Sequence, residues 1–233
     1  MYLPETLALV FRVDGCVVYV PFRLFQGILV RSDDVYIPET LPYFMYGPNV
    51  IVFDLDDTLI GSISSVELAC RRGYRFILLD NHETLYPADS VLALRPYTRD
   101  VLGAASEHFD ERVVWSHRGP RALLEEELDR LGIGDHFTGI IGRDNNPSRS
   151  RLWGVPFTKD LLEMASIYDT SIENVVLIQD KVYPYSAAPK DRCVFIRPFR
   201  PGKYLSRYDT TLLGAYREAL SKVPGTPEWS YVR

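Results

Sequence analysis

No apolar run in the chain approaches the roughly 18 residues of a membrane-spanning helix, and the start MYLPETLALVFRVDG has no basic stretch ahead of an apolar one. These absences predict an intracellular protein, cytoplasmic or nuclear, with no membrane partner. Cysteine is scarce: Cys16, Cys70 and Cys193 lie far apart, lack metal-ligand spacing and are odd in number, so reduced, packed thiols are expected. An excess of positive charge is also missing, since 26 Lys and Arg stand against 31 Asp and Glu for a net charge of −5. A nonspecific nucleic-acid binder needs a basic footprint to displace counterions from phosphates, so direct nucleic-acid binding is not expected. Repeats and low-complexity tracts are absent, and no segment is polar enough to resist packing. What remains is a 233-residue chain with an ordinary apolar fraction of 46%. That length suits one full core and a small appendage, because domains usually run about 100–200 residues.

The pattern of the chain changes near residue 49. Before it, LALVFRV and CVVYVPF flank a turn-forming Asp14-Gly15, a hairpin signal. Short runs follow at Gly27 to Val30 and Val35 to Ile37, and LPYFMYGPN reads as a punctuated connector. Residues 1–49 are therefore read as a β-rich extension and residues 50–233 as the main domain. From Val50 onward, VIVF, RVVWS, TGIIG, NVVLI and CVFI are short apolar runs of the kind that buried parallel strands need. Helical segments alternate with them. Pro120 to Leu131 places Leu124, Leu128 and Leu131 on one face with Gly132 as its stop, Lys159 to Tyr168 places Leu161, Leu162 and Ala165 inward, and Leu213, Tyr216 and Leu220 share a face before Pro224-Gly225. Strands alternating with helices predict an α/β fold with a central parallel sheet covered on both faces, and chemistry at the carboxyl ends of the strands. The stretch 61–95, with YRFILLDNHETLY and SVLALRP, breaks that rhythm and reads as strand pairs inserted after the first core strand, a cap over the site.

In VIVFDLDDTLI a buried strand runs straight into three carboxylates and a hydroxyl, charges that would be costly inside a core. Asp54 and Asp56, two apart on chain leaving a strand, can share one pocket, one carboxylate to attack and the other to move a proton. Like charges that close repel unless a cation intervenes, and Mg²⁺ prefers such oxygen ligands. Arg95 and Arg118 lie near the motifs and could contact substrate, but arginines near helix starts are commonly surface residues and are left out of the catalytic set; His117, next to Ser116 on extended chain, should point to the other side.

DLDDT resembles the DxDx(T/V) signature of haloacid dehalogenase phosphatases, with VIVF before it and Leu59-Ile60 after it matching the apolar context. Within that superfamily the chain is most similar, over roughly residues 50 to 222, to the RNA polymerase II C-terminal-domain phosphatases, the small-CTD-phosphatase, Dullard-like and NLI-interacting-factor-like group. That group's DLDxTL, KRP-like segment, strand ending in Thr or Ser, VKDL and LDN read here as DLDDTL, LRPYTRDVL, VVWS, FTKDL and IQD.

The resemblance implies a Rossmann-like core and a Mg²⁺-dependent phosphatase that works through an aspartyl phosphate. Asp54 would be the nucleophile and Asp56 the acid and then base. Thr58, Ser116 and Lys159 would hold the phosphate, while the Asp54 carboxylate, the Asp56 backbone carbonyl and Asp180 would hold the metal. It also implies a phosphoserine or phosphothreonine protein or peptide as substrate. Gln179 departs from the group's first motif-four aspartate, with Asp180 in place of the following asparagine, so weaker Mg²⁺ binding is expected. Two alternatives stand beside this reading: a small-molecule or nucleic-acid-end phosphatase of the same superfamily, which the insert would decide, and a catalytically weak phosphopeptide-binding module, which only Gln179 favours.

Overall fold

A computed structural model describes residues 8–13, 16–21, 47–79, 91–147, 159–181, 189–202 and 208–224. The chain divides into two compact units, residues 1–46 and 47–233. In the first, β1 (Ala8–Val13) and β2 (Cys16–Pro21) pair antiparallel with Val13 opposite Cys16. The Asp14-Gly15 turn and the runs read at 27–30 and 35–37 lie outside the described residues.

The second unit is built on a five-stranded parallel sheet. In chain order its strands are β3 (Val50–Asp54), β7 (Glu111–Trp115), β8 (Gly139–Ile141), β9 (Val175–Gln179) and β10 (Cys193–Phe195), the five runs predicted as core strands. Their spatial order is β10-β9-β3-β7-β8, so the chain winds outward from β3 to one edge and then returns to β3's other side. Every residue of β3 and β9 is buried, as expected of strands with helices on both faces. Alternation along the strand divides the core: Ile51 and Phe53 join one apolar cluster, Val50 and Val52 the other. The first face is covered by α2 (Thr98–His108), α3 (Arg121–Leu131) and α5 (Thr211–Ser221), and the second by α4 (Leu161–Ile167).

The helix boundaries follow local chemistry. Pro120 precedes α3, Leu124, Leu128 and Leu131 are fully buried, and Gly132 ends the helix at φ 63°, its N–H donating to the Asp129 and Leu128 carbonyls. A Cβ on Gly132 would meet only the movable ends of Arg75 and Arg99, so it is the left-handed backbone that favours glycine there. At α4 the expectation is corrected. Lys159 stands before the helix, Asp160 is the N-cap and accepts from Leu162 N at 3.0 Å, and Leu162 is 57% exposed. The helix starts two residues later than the apolar pattern suggested, and its inward stripe is Leu161, Met164 and Ala165, with Leu162 turned about 100° away from Leu161.

The insert contains β4 (Ile60–Ile63), β5 (Phe76–Leu78) and β6 (Val91–Leu94) in an antiparallel sheet of order β4-β6-β5. It is not strands alone, since α1 (Val66–Arg72) follows β4, with Ser65 accepting from Leu68 N and Gly73 in the left-handed region. The sequence signal was weak because α1 buries only Ala69. Residues 80–90 of the predicted strand pairs lie outside the described residues. Among the described residues, no helix is long and apolar enough to cross a membrane.

Candidate active site

Ligands in open parallel sheets bind beyond the strands' carboxyl ends, where the winding direction reverses. Here that point is the carboxyl end of β3, flanked by β7 on one side and β9 on the other. Asp54 is the last residue of β3 and is 6% exposed. Its parity with Val50 and Val52 aims it to the α4 face, and the residue leading into α4 is Lys159. The Lys159 ammonium, itself 1% exposed, lies 2.6 Å from Asp54 Oδ1. Leu55 N–H donates to the same oxygen at 2.8 Å, and with both contacts on Oδ1, Oδ2 is left available. Burial pushes the Asp54 carboxyl above the ordinary carboxylate range; Lys159 pulls it down and the Asp56 charge adds to the rise.

After Asp54 the chain closes into a tight turn in which Leu55 O accepts from the N–H groups of Thr58, Leu59 and Ile60. Asp57 takes the left-handed conformation at φ 59° to allow it. Three outside contacts hold the turn. Phe199 N–H donates to Asp57 O at 2.7 Å, Arg200 pairs with the Asp57 carboxylate, and Arg95 Nη1 donates to Thr58 O at 2.9 Å. Arg95 is 1% exposed and is also bonded to Asp209 and Arg197 O. The surface reading of this arginine is therefore corrected: it is a buried tie between the acidic turn and the entry to α5.

The turn returns the Asp56 side chain toward the end of β7. Ser116 continues that strand's ladder by one bond, its N–H donating to Ile141 O, and its hydroxyl donates to Asp56 Oδ2 at 2.8 Å. Arg118 Nε lies 3.4 Å from Asp56 Oδ1, and its guanidinium pairs with Glu127 on α3. Both Arg118 and Glu127 are 1% exposed, so the surface reading of Arg118 is corrected as well. His117 is half-buried, with Nε2 2.9 Å from the Asn146 amide. Burial and the Lys159 charge push its imidazole down to about 4, so it is neutral at pH 7.

On the other side of Asp54, β9 ends in Gln179 and Asp180. The Gln179 amide, both Asp180 carboxylate oxygens and the Thr58 hydroxyl are buried without a hydrogen-bond partner among the described residues. Burial first, and then the Asp54 charge, push Asp180 up to about 6. Buried oxygens with nothing to bond, beside two carboxyls whose charged forms are disfavoured, are what a divalent cation would satisfy. No group of three His, Cys, Asp or Glu side chains among the described residues could hold a metal. The set instead offers the Asp54 and Asp180 carboxylates with the Gln179 amide oxygen, and Mg²⁺ commonly takes one or two carboxylates with waters and substrate phosphate. The residues present fit that ion.

The structure thus pairs Asp54 with Lys159 and Asp56 with Ser116, and sets Thr58 in the same turn and Asp180 at the end of β9. Sequence reasoning left Arg118 out of the site and missed Glu127 and the anchoring role of Arg95. Glu127 carried a readable signal, since it occupies the apolar stripe of α3 between Leu124 and Leu128, where a charge implies a buried partner.

Residues 49–226 match the model of a family described as NLI interacting factor-like phosphatase. No curated protein sequence matches the chain. Among solved structures it is similar to a variant of the fission yeast RNA polymerase II CTD phosphatase Fcp1 bound to beryllium fluoride, at 15% identity and TM-score 0.43, covering 77% of this chain and 52% of that one. A second Fcp1 structure matches at 17% identity and TM-score 0.44, covering 76% and 55% respectively. A HAD-superfamily hydrolase from Ehrlichia chaffeensis matches at 16% identity and TM-score 0.41, covering 66% and 88%. The chain spans about half the length of the two Fcp1 structures.

Proposed function

Because this chain belongs to the NLI interacting factor-like phosphatase family, phosphoric monoester hydrolases of the CTD-phosphatase type, we propose that it dephosphorylates serine or threonine in an extended polypeptide, through an aspartyl phosphate on Asp54. The observation that carries the reading is the buried ion pair between Asp54 Oδ1 and Lys159 at the carboxyl end of the central strand. It fixes one carboxylate oxygen and leaves the other to attack. In the first step Asp54 Oδ2 bonds to phosphorus, the bond to the seryl or threonyl oxygen breaks, and protonated Asp56 gives its proton to that oxygen. In the second step Asp56 takes a proton from water, the water oxygen bonds to phosphorus, and the bond to Asp54 breaks. Lys159 neutralises Asp54 and the incoming phosphate, while the Thr58 and Ser116 hydroxyls are placed to donate to phosphate oxygens. Ser116 must turn from Asp56 to do so.

The Asp54 carboxylate, the Asp56 backbone carbonyl and Asp180 would hold Mg²⁺, with Gln179 bonded to one of its waters. When bound, the ion neutralises charge on the transferring phosphoryl group. Within this reading, residues 50–233 are the catalytic domain, with 61–95 shaping access, and residues 1–49 are an accessory extension.

Substrate class is tested by comparing a phosphoserine peptide, a nucleoside monophosphate and a sugar phosphate. The peptide is expected to lead in kcat/KM by at least about tenfold, the ratio that roughly 1.4 kcal/mol of extra contact with the flanking chain supplies. A nucleotide preference would move the protein to the nucleic-acid-end class. Metal affinity is tested at Gln179, whose neutral amide brings hydrogen bonds but no charge. Gln179→Asp is expected to lower the Mg²⁺ concentration for half-maximal activity about 10–100-fold, and an unchanged titration would remove Gln179 from the metal's surroundings.

A further inference from the structure

The Asp56 side chain is 23% exposed, so a carboxyl at that opening would rotate among several orientations unless something held it. One of its oxygens is hydrogen-bonded and the other faces a buried cation, whose Nε makes no hydrogen bond to it. Oδ2 accepts from Ser116 Oγ at 2.8 Å, and Oδ1 lies 3.4 Å from Arg118 Nε. The two neighbours are linked to each other, since the Arg118 backbone N–H donates to Ser116 Oγ at 3.1 Å. Glu127 on α3 pairs with the Arg118 guanidinium through Nη2. A buried ion pair of this kind adds little stability over apolar side chains of similar volume, which directs attention to what the guanidinium touches. It touches Asp56.

We propose that Arg118, braced by Glu127, is the positioning residue that orients the Asp56 carboxyl for proton transfer to the departing seryl or threonyl oxygen. The proposal rests on the reading of Asp56 as proton donor. Glu127 contacts neither substrate nor reacting atoms and acts only through Arg118. Misplacing a reacting group by about 1 Å costs on the order of 100-fold in rate, and the loss falls on substrates whose leaving group needs the proton. An alkoxide from phosphoserine needs it, whereas 4-nitrophenolate leaves without it.

The test is kcat/KM, which reports the phosphoryl-transfer step, measured on a phosphoserine peptide and on 4-nitrophenyl phosphate. Glu127→Gln keeps the shape of the brace and removes its charge. Because breaking one partner of a buried pair can unfold a protein, the second variant is Arg118→Met with Glu127→Leu, an apolar replacement of the whole pair that is expected to fold. Both are expected to lose roughly 100-fold on the peptide and less than about threefold on the aryl ester. A merely structural pair would lower both substrates equally, and that result, or no loss on either, overturns the brace. Asp56→Asn is run beside them. If it shows the peptide-selective loss and the brace variants do not, the brace alone falls; if Asp56→Asn is itself unselective, the proton-donor reading falls and the brace with it.

Discussion

Asp54→Asn is expected to release no measurable phosphate from an aryl phosphate or a phosphoserine peptide in saturating Mg²⁺, a loss of at least about 10⁴-fold, since removing a covalent nucleophile takes away a whole reaction path. The amide keeps an oxygen to accept from Leu55 N–H but cannot attack phosphorus as a carboxylate does. It also strands Lys159, a fully buried ammonium whose described counter-charge is Asp54. Orphaning one member of such a pair costs about 3–5 kcal/mol, so the variant should melt earlier than the native protein. Inactivity through unfolding is separated from inactivity through chemistry by the double variant Asp54→Asn with Lys159→Met, which removes both charges. It should regain most of the melting temperature and none of the turnover. Residual activity within about tenfold of native would show that another residue attacks phosphorus.

Chelating Mg²⁺ is expected to abolish turnover and also to make stability depend on pH. Asp54 and Asp180 are both pushed up by burial, Asp180 to about 6 from an ordinary 3.8. A folded state that holds protons more tightly than the unfolded chain loses stability as pH rises through the interval between the two values. Without metal, the contribution of Asp180 is therefore fully present below about 4 and lost above about 6, and Asp54 acts in the same direction. Mg²⁺ binds the deprotonated carboxylates, so its stabilisation follows the opposite course. At 100 times its dissociation constant it adds about 2.7 kcal/mol, or on the order of 5–10 °C for a domain of this size. Calorimetric scans from pH 4 to pH 8, with EDTA or with Mg²⁺, should show a Mg²⁺ increment near zero at pH 4 and large at pH 7. An increment independent of pH would mean that the ion does not engage Asp54 and Asp180.

The fold was legible where a segment's own composition decides its state. The two central strands, β3 and β9, are buried at every residue and read as Val-, Ile- and Leu-rich runs, and the outer three keep enough of that character to be recognised. The α3 boundaries were legible because Pro120 and Gly132 mark them. By contrast, α1 is seven residues long and rests on one buried side chain, Ala69, so its apolar stripe was too thin to register. Ser65 before it and Gly73 after it were the better clues. Leu162 was misplaced because it follows Leu161 directly and so lies about 100° round the helix from it, whereas Met164 completes the stripe of Leu161 and Ala165.

At the site, strand ends could be read off the sequence and side-chain partners could not. Asp54, Ser116 and Gln179-Asp180 each follow an apolar run, and a parallel sheet brings such ends together. Nothing local to Arg118 says whether it meets solvent or Glu127, because that contact is made only when α3 docks on the sheet. The same holds for Arg95 and Asp209, which lie 114 residues apart.

The placement of β3 at the middle of the sheet has a consequence for biosynthesis. The strand bearing Asp54 is the first of the five to be translated, yet its neighbours β7 and β9 begin about 60 and about 120 residues later. At a ribosomal pace of about 5–20 residues per second, the nascent strand waits on the order of ten seconds for its second partner. During that interval its Val- and Ile-rich backbone edge can accept a strand from another nascent chain. Lys159 and Asp180 emerge near the end of the same wait, so a truncated translation product that already displays DLDDTL would carry the acidic turn without its counter-charge or its second metal-binding carboxylate.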